Sequence, residues 1–289
     1  MTEPATALLP TGVVGLVLLA AVLHATWNAL VKIGGDRLIV LASVNTVAAI
    51  AGLFMIPLAP APNPESWPYL ALSVAVHSGY YFFLLKAYQS GDFSHVYPLA
   101  RGCAPLMVLL GGAWVAGEYL PPMAITGIGI ASIGIASLAF DGGAPWRRDP
   151  RPLLYAVATG VTIASYTVVD GVGVRLSGSP LGYIGWLFAI DGLPIALVAL
   201  HLRRGLVRPY LRNEWPHCVG AGLASIGAYG LVIYAMNSGA LAAVSALRET
   251  SVIIAAAIGT FALGERFGRR RIILAAIVTA GIVLMHSAL

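Results

Sequence analysis

Apolar residues in this chain come in long unbroken runs separated by short polar or proline-rich breaks, a pattern organised by length and not by a repeating face. The runs are approximately Gly12 to Val31, Leu38 to Leu58, Trp67 to Ala87, Ser94 to Val115, Pro121 to Phe140, Pro152 to Val172, Leu181 to Leu200, Trp215 to Met236, Ala240 to Leu263, and Ile272 to Leu289. An α-helix rises about 1.5 Å per residue and the hydrocarbon core of a bilayer is about 30 Å thick, so roughly 20 apolar residues make one crossing. The pattern therefore predicts an all-α integral membrane protein with ten transmembrane helices. The breaks carry helix-ending residues: APAPNP at 59–64, GDFS at 91–94, LPP at 120–122 and GGAPWRRDP at 142–150. The last is the most polar, and it divides the chain into halves 1–143 and 152–289 joined by a linker at 144–151.

Composition agrees and removes the alternatives. The 289 residues are 58% hydrophobic and 10% charged, with a mean hydropathy of +0.85, whereas a soluble domain is roughly a quarter charged. Soluble nucleotide-binding, barrel and nucleic-acid-binding folds are excluded on that ground. The two cysteines, Cys103 and Cys218, lie in apolar runs without a CxxC pair or a neighbouring histidine cluster, so neither metal nor cofactor is expected. No base precedes the first apolar run, which reads as retained and not as a cleaved signal.

The basic residues report orientation. With ten crossings, alternate connections lie on opposite sides. One side collects Lys32, Arg37, Lys86, Arg147, Arg148, Arg151, Arg203, Arg204, Arg208, Arg212, Arg266, Arg269, Arg270 and Arg271, fourteen of the seventeen bases. The other side holds both termini and Arg175, while Arg101 and Arg248 fall inside spans. By the positive-inside rule the basic side is cytoplasmic and both termini face outward across the cytoplasmic membrane.

The halves also resemble each other. AYQSGDF at 87–93 is matched by AMNSGAL at 235–241. Arg101 is followed seventeen residues later by Glu118 in WVAGE, and Arg248 seventeen residues later by Glu265 in FALGE. Five spans per half is an odd number, so the second copy enters the membrane upside down. The expectation is two inverted five-helix repeats, a plan common among secondary transporters, with the substrate held near the midplane.

These repeated residues carry a family resemblance. The SG…R…GE pattern, together with HATWN at 24–28, Lys32, YPLARG at 97–102 and ALRETS at 246–251, resembles the EamA-type members of the drug/metabolite transporter superfamily over nearly the whole chain. The resemblance implies a two-by-five helix carrier of small organic metabolites, often an exporter of amino acids or related compounds, and names no solute.

Ionisable groups inside a bilayer are costly unless paired or hydrated, so each one is a functional candidate. Arg101 lies about seven residues, roughly 10 Å, into span four, and Arg248 is similarly deep from the other side in span nine. They are candidates for holding a substrate's carboxylate or phosphoryl group by bidentate hydrogen bonds, against the alternative that they snorkel or neutralise a neighbour. Glu249 follows Arg248 about 100° further round the helix, and Gly102 stands at the equivalent place in the first half. That carboxylate either binds a substrate amine or proton, or pairs with a cation from another helix. Asp191, about ten residues from either end of span seven and followed by Gly192 and Pro194, is a candidate proton-coupling site or a buried structural Asp. Asp170 lies nearer a helix end, where a hydrated rim position is expected.

His24, Trp27 and Asn28 share one helix face in span one, as do His77 and Tyr81 in span three. Such faces offer stacking and hydrogen bonds to a zwitterionic or aromatic solute, or serve as polar glue between helices. Tyr97 precedes Arg101 by one turn, with Pro98 and Pro105 loosening that helix. Glu118 and Glu265 read as structural ends, in helix termination or an interfacial ion pair with a neighbour such as Arg266.

Absences narrow the reading. The first span has no carboxylate, which disfavours the cationic-drug mechanism of the small multidrug-resistance branch that the resemblance brings to mind. No GxxxxGK[ST] loop supplies nucleotide hydrolysis, and no GxSxG, HExxH or paired aspartates suggest an intramembrane enzyme. A passive channel or a receptor is the remaining alternative to a gradient-driven carrier. The expected partners are a small-molecule substrate and the lipid bilayer, with no nucleic acid; nothing in the pattern specifies an oligomeric state.

Overall fold

The computed structural model of the chain describes residues 9–33, 35–90, 93–140, 149–261 and 269–289. Among them the regular structure is helical: α1 (Thr11–Ile33), α2 (Arg37–Met55), α3 (Trp67–Ser90), α4 (Phe93–Val115), α5 (Pro122–Ser137), α6 (Arg151–Leu176), α7 (Pro180–Leu202), α8 (Val207–Met236), α9 (Leu241–Arg248), α10 (Thr250–Phe261) and α11 (Arg269–Ser287), with three short 3-10 turns. The first eight are long and apolar enough to cross a membrane, and Ile272–Ser287 adds a shorter apolar helix. Most of the 144–151 connection, together with Glu265 and Arg266, lies outside the described residues.

Two elements differ from expectation. Helix α8 begins eight residues before the apolar run at Trp215, so Arg208 and Arg212 stand on its first turns and not in a loop. Hydrophobicity reports where the bilayer starts, while the backbone hydrogen bonds continue beyond it. The ninth run is not one helix, because the chain turns at Glu249 between α9 and α10. Neither Pro nor Gly occupies 248–250. Instead Glu249 N–H closes a tight turn on Ala246 C=O at 3.1 Å, and the turn lets two adjacent charged side chains face one centre, which a continuous helix would splay about 100° apart.

The helices pair symmetrically. Helix α2 packs on α7 and α5 on α11, while α3 against α6 matches α8 against α1, and α4 against α6 matches the α9–α10 segment against α1. Exchanging the halves leaves this set of partners unchanged, a symmetry consistent with inverted repeats. The two self-matched contacts are glycine contacts. A Cβ on Gly52 of α2 would meet Ala189 N at 2.5 Å and Gly185 O at 2.6 Å on α7; one on Gly127 of α5 would meet Met285 N at 2.5 Å and Gly281 O at 2.6 Å on α11. Lipid tails are as apolar as leucine, so helices in a bilayer are held by close packing, and backbones approach this closely only where side chains are missing.

Each end of the bundle has an ion pair. Asp36 accepts from the N–H groups of Leu38 (3.0 Å) and Ile39 (3.2 Å), capping α2, and from Arg203 Nε at 2.6 Å, tying α2 to the end of α7. Partial burial works against its ionisation, but the Arg203 guanidinium and the two N–H groups together outweigh it, and its pKa lies below the usual 3.8. At the opposite end Glu118 pairs with Arg175 at 2.6 Å and accepts from Leu241 N at 2.8 Å, capping the start of α9, while Arg175 also donates to the carbonyls of Met236 and Gly239. Glu118 thus has the structural role read from sequence, with Arg175 as its partner.

Two stability predictions follow from these contacts. Gly127→Ala is expected to destabilise the protein by about 1–3 kcal/mol through overpacking, whereas Gly129→Ala, on the same helix with open space beside it, is neutral or gains up to about 1 kcal/mol of helix propensity. Thermal melts in lipid nanodiscs distinguish them. Asp36→Ala is expected to cost about 1–2 kcal/mol, mostly the cap, with the solvent-screened ion pair contributing little. Because the folded-state pKa of Asp36 is depressed, its contribution is fully present above pH 3.8 and is lost as pH falls through the folded value. The difference in melting temperature between wild type and Asp36→Ala should therefore be constant from neutral pH down to about pH 4 and shrink below it.

Candidate functional site

Three charged side chains meet in the interior. Arg101 from α4, Arg248 from the end of α9 and Glu249 from the turn after it are 3%, 3% and 0% exposed. Arg101 Nε lies 2.9 Å from Glu249 Oε2, and Arg248 Nε lies 3.8 Å from Glu249 Oε1. The contacts are close without being aligned as hydrogen bonds: Nε and Nη2 of both arginines, and both oxygens of Glu249, lack a hydrogen-bond partner. Two guanidinium groups against one carboxylate leave one positive charge in excess. The hydroxyls of Ser245 and Ser251 on either side are also buried and unpartnered. Such a cluster is short of acceptors, which a small anion would supply.

The first half has no counterpart of Glu249 for a packing reason. A Cβ on Gly102 would meet Ala136 N at 2.7 Å and Ser132 O at 2.9 Å on α5. A carboxylate-bearing side chain cannot be accommodated there without moving a helix.

Two cavities with shared walls reach the charges. One of about 270 Å³ runs from Arg101 and Tyr97, past His24, Trp27 and Asn28, to Arg37 on the basic face. The other, about 80 Å³, is bounded by Arg248, Asp191, His77, Tyr81, Tyr166 and Tyr229. His24, Trp27, Leu41 and Tyr80 line both. The larger is just below the range of roughly 300–1,000 Å³ usual for ligand cavities, a size for a small solute.

Every residue singled out from the sequence as a site candidate touches this space or its charges. In α1, Trp27 Nε1 donates to His24 Nδ1 at 3.2 Å and Asn28 Nδ2 donates to the His24 carbonyl at 2.8 Å, which orders the predicted face. In α3, His77 stacks on Tyr166 with ring centroids 4.1 Å apart, and Tyr81 donates toward Asn45 and Asp191 from α2 and α7. Asp191 is 7% exposed.

One expectation is corrected. Asp170 is not a hydrated rim residue but fully buried, accepting hydrogen bonds from Tyr183 Oη at 3.0 Å and from Tyr229 Oη. Helix α6 runs on past Asp170 to Leu176, and α7 and α8 cover this turn, so position near the end of an apolar run misjudges depth. Sequence reasoning also passes over Tyr80, Tyr229 and Asn45, all of which reach the cavity. Each is a polar group within an apolar run, so the rule that found the arginines would find them if extended from charges to hydroxyls and amides. Among the described residues no three His, Cys, Asp or Glu side chains gather as metal ligands.

Comparison with known proteins places this geometry in a family. A solved structure, described only as the crystal structure of a protein, superposes with a TM-score of 0.76 over 95% of this chain and 96% of its own at 19% identity, which establishes a shared fold. No curated protein matches the chain significantly. The model of the EamA-like transporter family matches residues 11–140 and again 150–287. Its members are transporters and not enzymes, and by this match across both halves the chain belongs to the EamA-like transporter family.

Proposed function

We propose that the chain is a gradient-driven secondary carrier of a small zwitterionic or anionic organic metabolite, such as an amino acid, working by alternating access. In this reading it is built as ten transmembrane helices in two inverted five-helix repeats, 1–143 and 152–289, with α9 and α10 as one interrupted crossing. It lies in the cytoplasmic membrane with both termini outside, and it exports its solute. The observation that carries the reading is the cluster of Arg101, Arg248 and Glu249, where buried N–H donors outnumber acceptors at the inner end of a cavity from the basic face. Inside a low-dielectric site each charge-assisted hydrogen bond to a carboxylate is stronger than a neutral one, and an arginine supplies two in parallel.

The residues divide the work. Glu249 holds Arg101 and leaves Arg248, at 3.8 Å, as the less committed cation. Arg248 takes the solute's anionic group, Glu249 or the aromatic oxygens face its amine, and His24, Trp27, Tyr97, His77 and Tyr81 wall its remainder. Asn28 braces this wall through His24. Asp191, behind the aromatic wall, is the proton-coupling group: it is a buried carboxyl whose Oδ1 has no partner, on a helix that contains Pro194 one turn further on.

Three measurements test this. Labelled amino acids and small organic acids are offered to proteoliposomes with and without a pH gradient; the carrier reading expects accumulation of one class against its gradient, and flux that never exceeds equilibration would identify a channel instead. Arg248→Ala is the informative variant, because Arg101 and Glu249 remain a balanced pair and the protein should fold. Its affinity for the solute is expected to fall roughly tenfold to a hundredfold, the loss of one hydrogen-bonded charge contact of about 1.5–3 kcal/mol. Asp191→Asn is expected to abolish the response of flux to an imposed pH gradient while leaving solute-for-solute exchange in place; unchanged pH dependence would remove Asp191 from the coupling role.

A further inference from the structure

Tyr81 stands between two acceptors and has one proton to give. Its hydroxyl lies 2.6 Å from Asn45 Oδ1 and 2.9 Å from Asp191 Oδ2. The Asn45 amide cannot be turned round to help, because its Nδ2 donates to the Leu41 carbonyl at 2.8 Å, and a flip would set two oxygens facing each other there. An ionised Asp191 accepts only, so one of the two contacts to Tyr81 would then bring acceptor against acceptor in a buried place. A single proton on Asp191 Oδ2 resolves both: Asp191 donates to Tyr81 Oη, and Tyr81 donates to Asn45 Oδ1. The bare Asp191 Oδ1 is then the carbonyl oxygen of a neutral acid, far less costly to leave unpartnered than a carboxylate oxygen.

From this count we infer that Asp191 is a neutral carboxylic acid in this conformation, and that Tyr81 and Asn45 are the positioning residues through which its proton is sensed. The proton completes a chain of donors from α7 through α3 to α2. When it passes to water, the Tyr81 O–H turns to the carboxylate, the α3 link to α7 becomes charge-assisted, and Asn45 Oδ1 on α2 loses its donor. Protonation thereby decides whether α3 is tied to both α2 and α7 or to α7 alone. The titratable and charged groups that interact with Asp191 are His77 and Tyr81 on α3 and Asp170 on α6, while Tyr80 of α3, Tyr166 of α6, Tyr229 of α8, His24 of α1 and Arg248 of α9 line the same cavity. Tyr81 also walls a separate crevice of about 700 Å³ between α2, α3 and α7, whose mouth carries Asp36, Lys86 and Arg203.

The inference extends the reading of Asp191 as the coupling group, but its test needs no solute and stands whether or not transport is detected. The full chain in lipid is titrated under infrared difference spectroscopy, with Asp191→Asn and Asp170→Asn assigning the carbonyl bands of protonated acids. Wild type is expected to show an Asp191 acid band at neutral pH. Asn45→Leu removes the competing acceptor and frees the Tyr81 proton for the carboxylate, so the proton affinity of Asp191 should fall about tenfold or more, a midpoint lower by about one pH unit. Tyr81→Phe removes the carboxylate's donor and should move the midpoint the opposite way. Residues that merely pack would not shift the titration in opposite directions. Absence of an Asp191-dependent acid band at neutral pH overturns the inference, as does a midpoint unchanged or raised in Asn45→Leu; Asn45→Ala replaces it if the larger side chain prevents folding.

Discussion

A charge inside a bilayer has no water to turn to, and the two arginines and one glutamate at the centre of this molecule set the terms for what surrounds them. Removing one partner of a buried ion pair typically costs about 3–5 kcal/mol, because the other is left uncompensated. Arg101 and Glu249 are therefore bound to stay together, although they come from different halves of the chain. That obligation accounts for the turn at Glu249, which aims two neighbouring side chains inward at the expense of helical continuity. It also gives a purpose to the capping of α9 from the far end of α4: Glu118 fixes where the helix starts, and Arg248 ends it two turns later.

Around this centre the molecule divides into parts that cannot move far and parts that can. The α2–α7 and α5–α11 contacts bring backbone to backbone through Gly52 and Gly127, and any sliding there meets repulsion within a fraction of an ångström. Both lie where the halves exchange roles. The cavity walls are different, being made of ring stacking and hydroxyl hydrogen bonds that can be exchanged for others of similar strength. A close-packed axis beside a polar interior is the arrangement that the alternating access proposed for this chain would need.

How much of this the sequence displays depends on which force was at work. Bilayer thickness acts on length, so the apolar runs are plain to read, and the cost of buried charge singles out Arg101, Arg248, Glu249 and Asp191 from a chain with few charges. Helical periodicity places His24, Trp27 and Asn28 on one face. The break at Glu249 leaves no such trace, since no Pro or Gly marks it and its cause lies across the molecule in Arg101. The burial of Asp170 is hidden for a related reason: it depends on Tyr183 and Tyr229, which neighbour it only after folding. Local signals reveal elements and candidate groups, whereas partnerships between distant groups appear only once the helices are assembled.

The crowding of Gly102 against α5 has a further consequence. A chain made of two related halves could hold a centre that is its own mirror under exchange, with a carboxylate beside each arginine or beside neither. The backbone of α5 forbids the first arrangement, so the sole carboxylate of the cluster belongs to the second half alone. Any two conformations that differ by swapping the postures of the halves are then chemically unequal, and they cannot share one energy. A protein built this way has no symmetric resting state, and the inequality traces to a side chain missing at Gly102, beside Arg101 on α4, where the α5 backbone leaves no room for one.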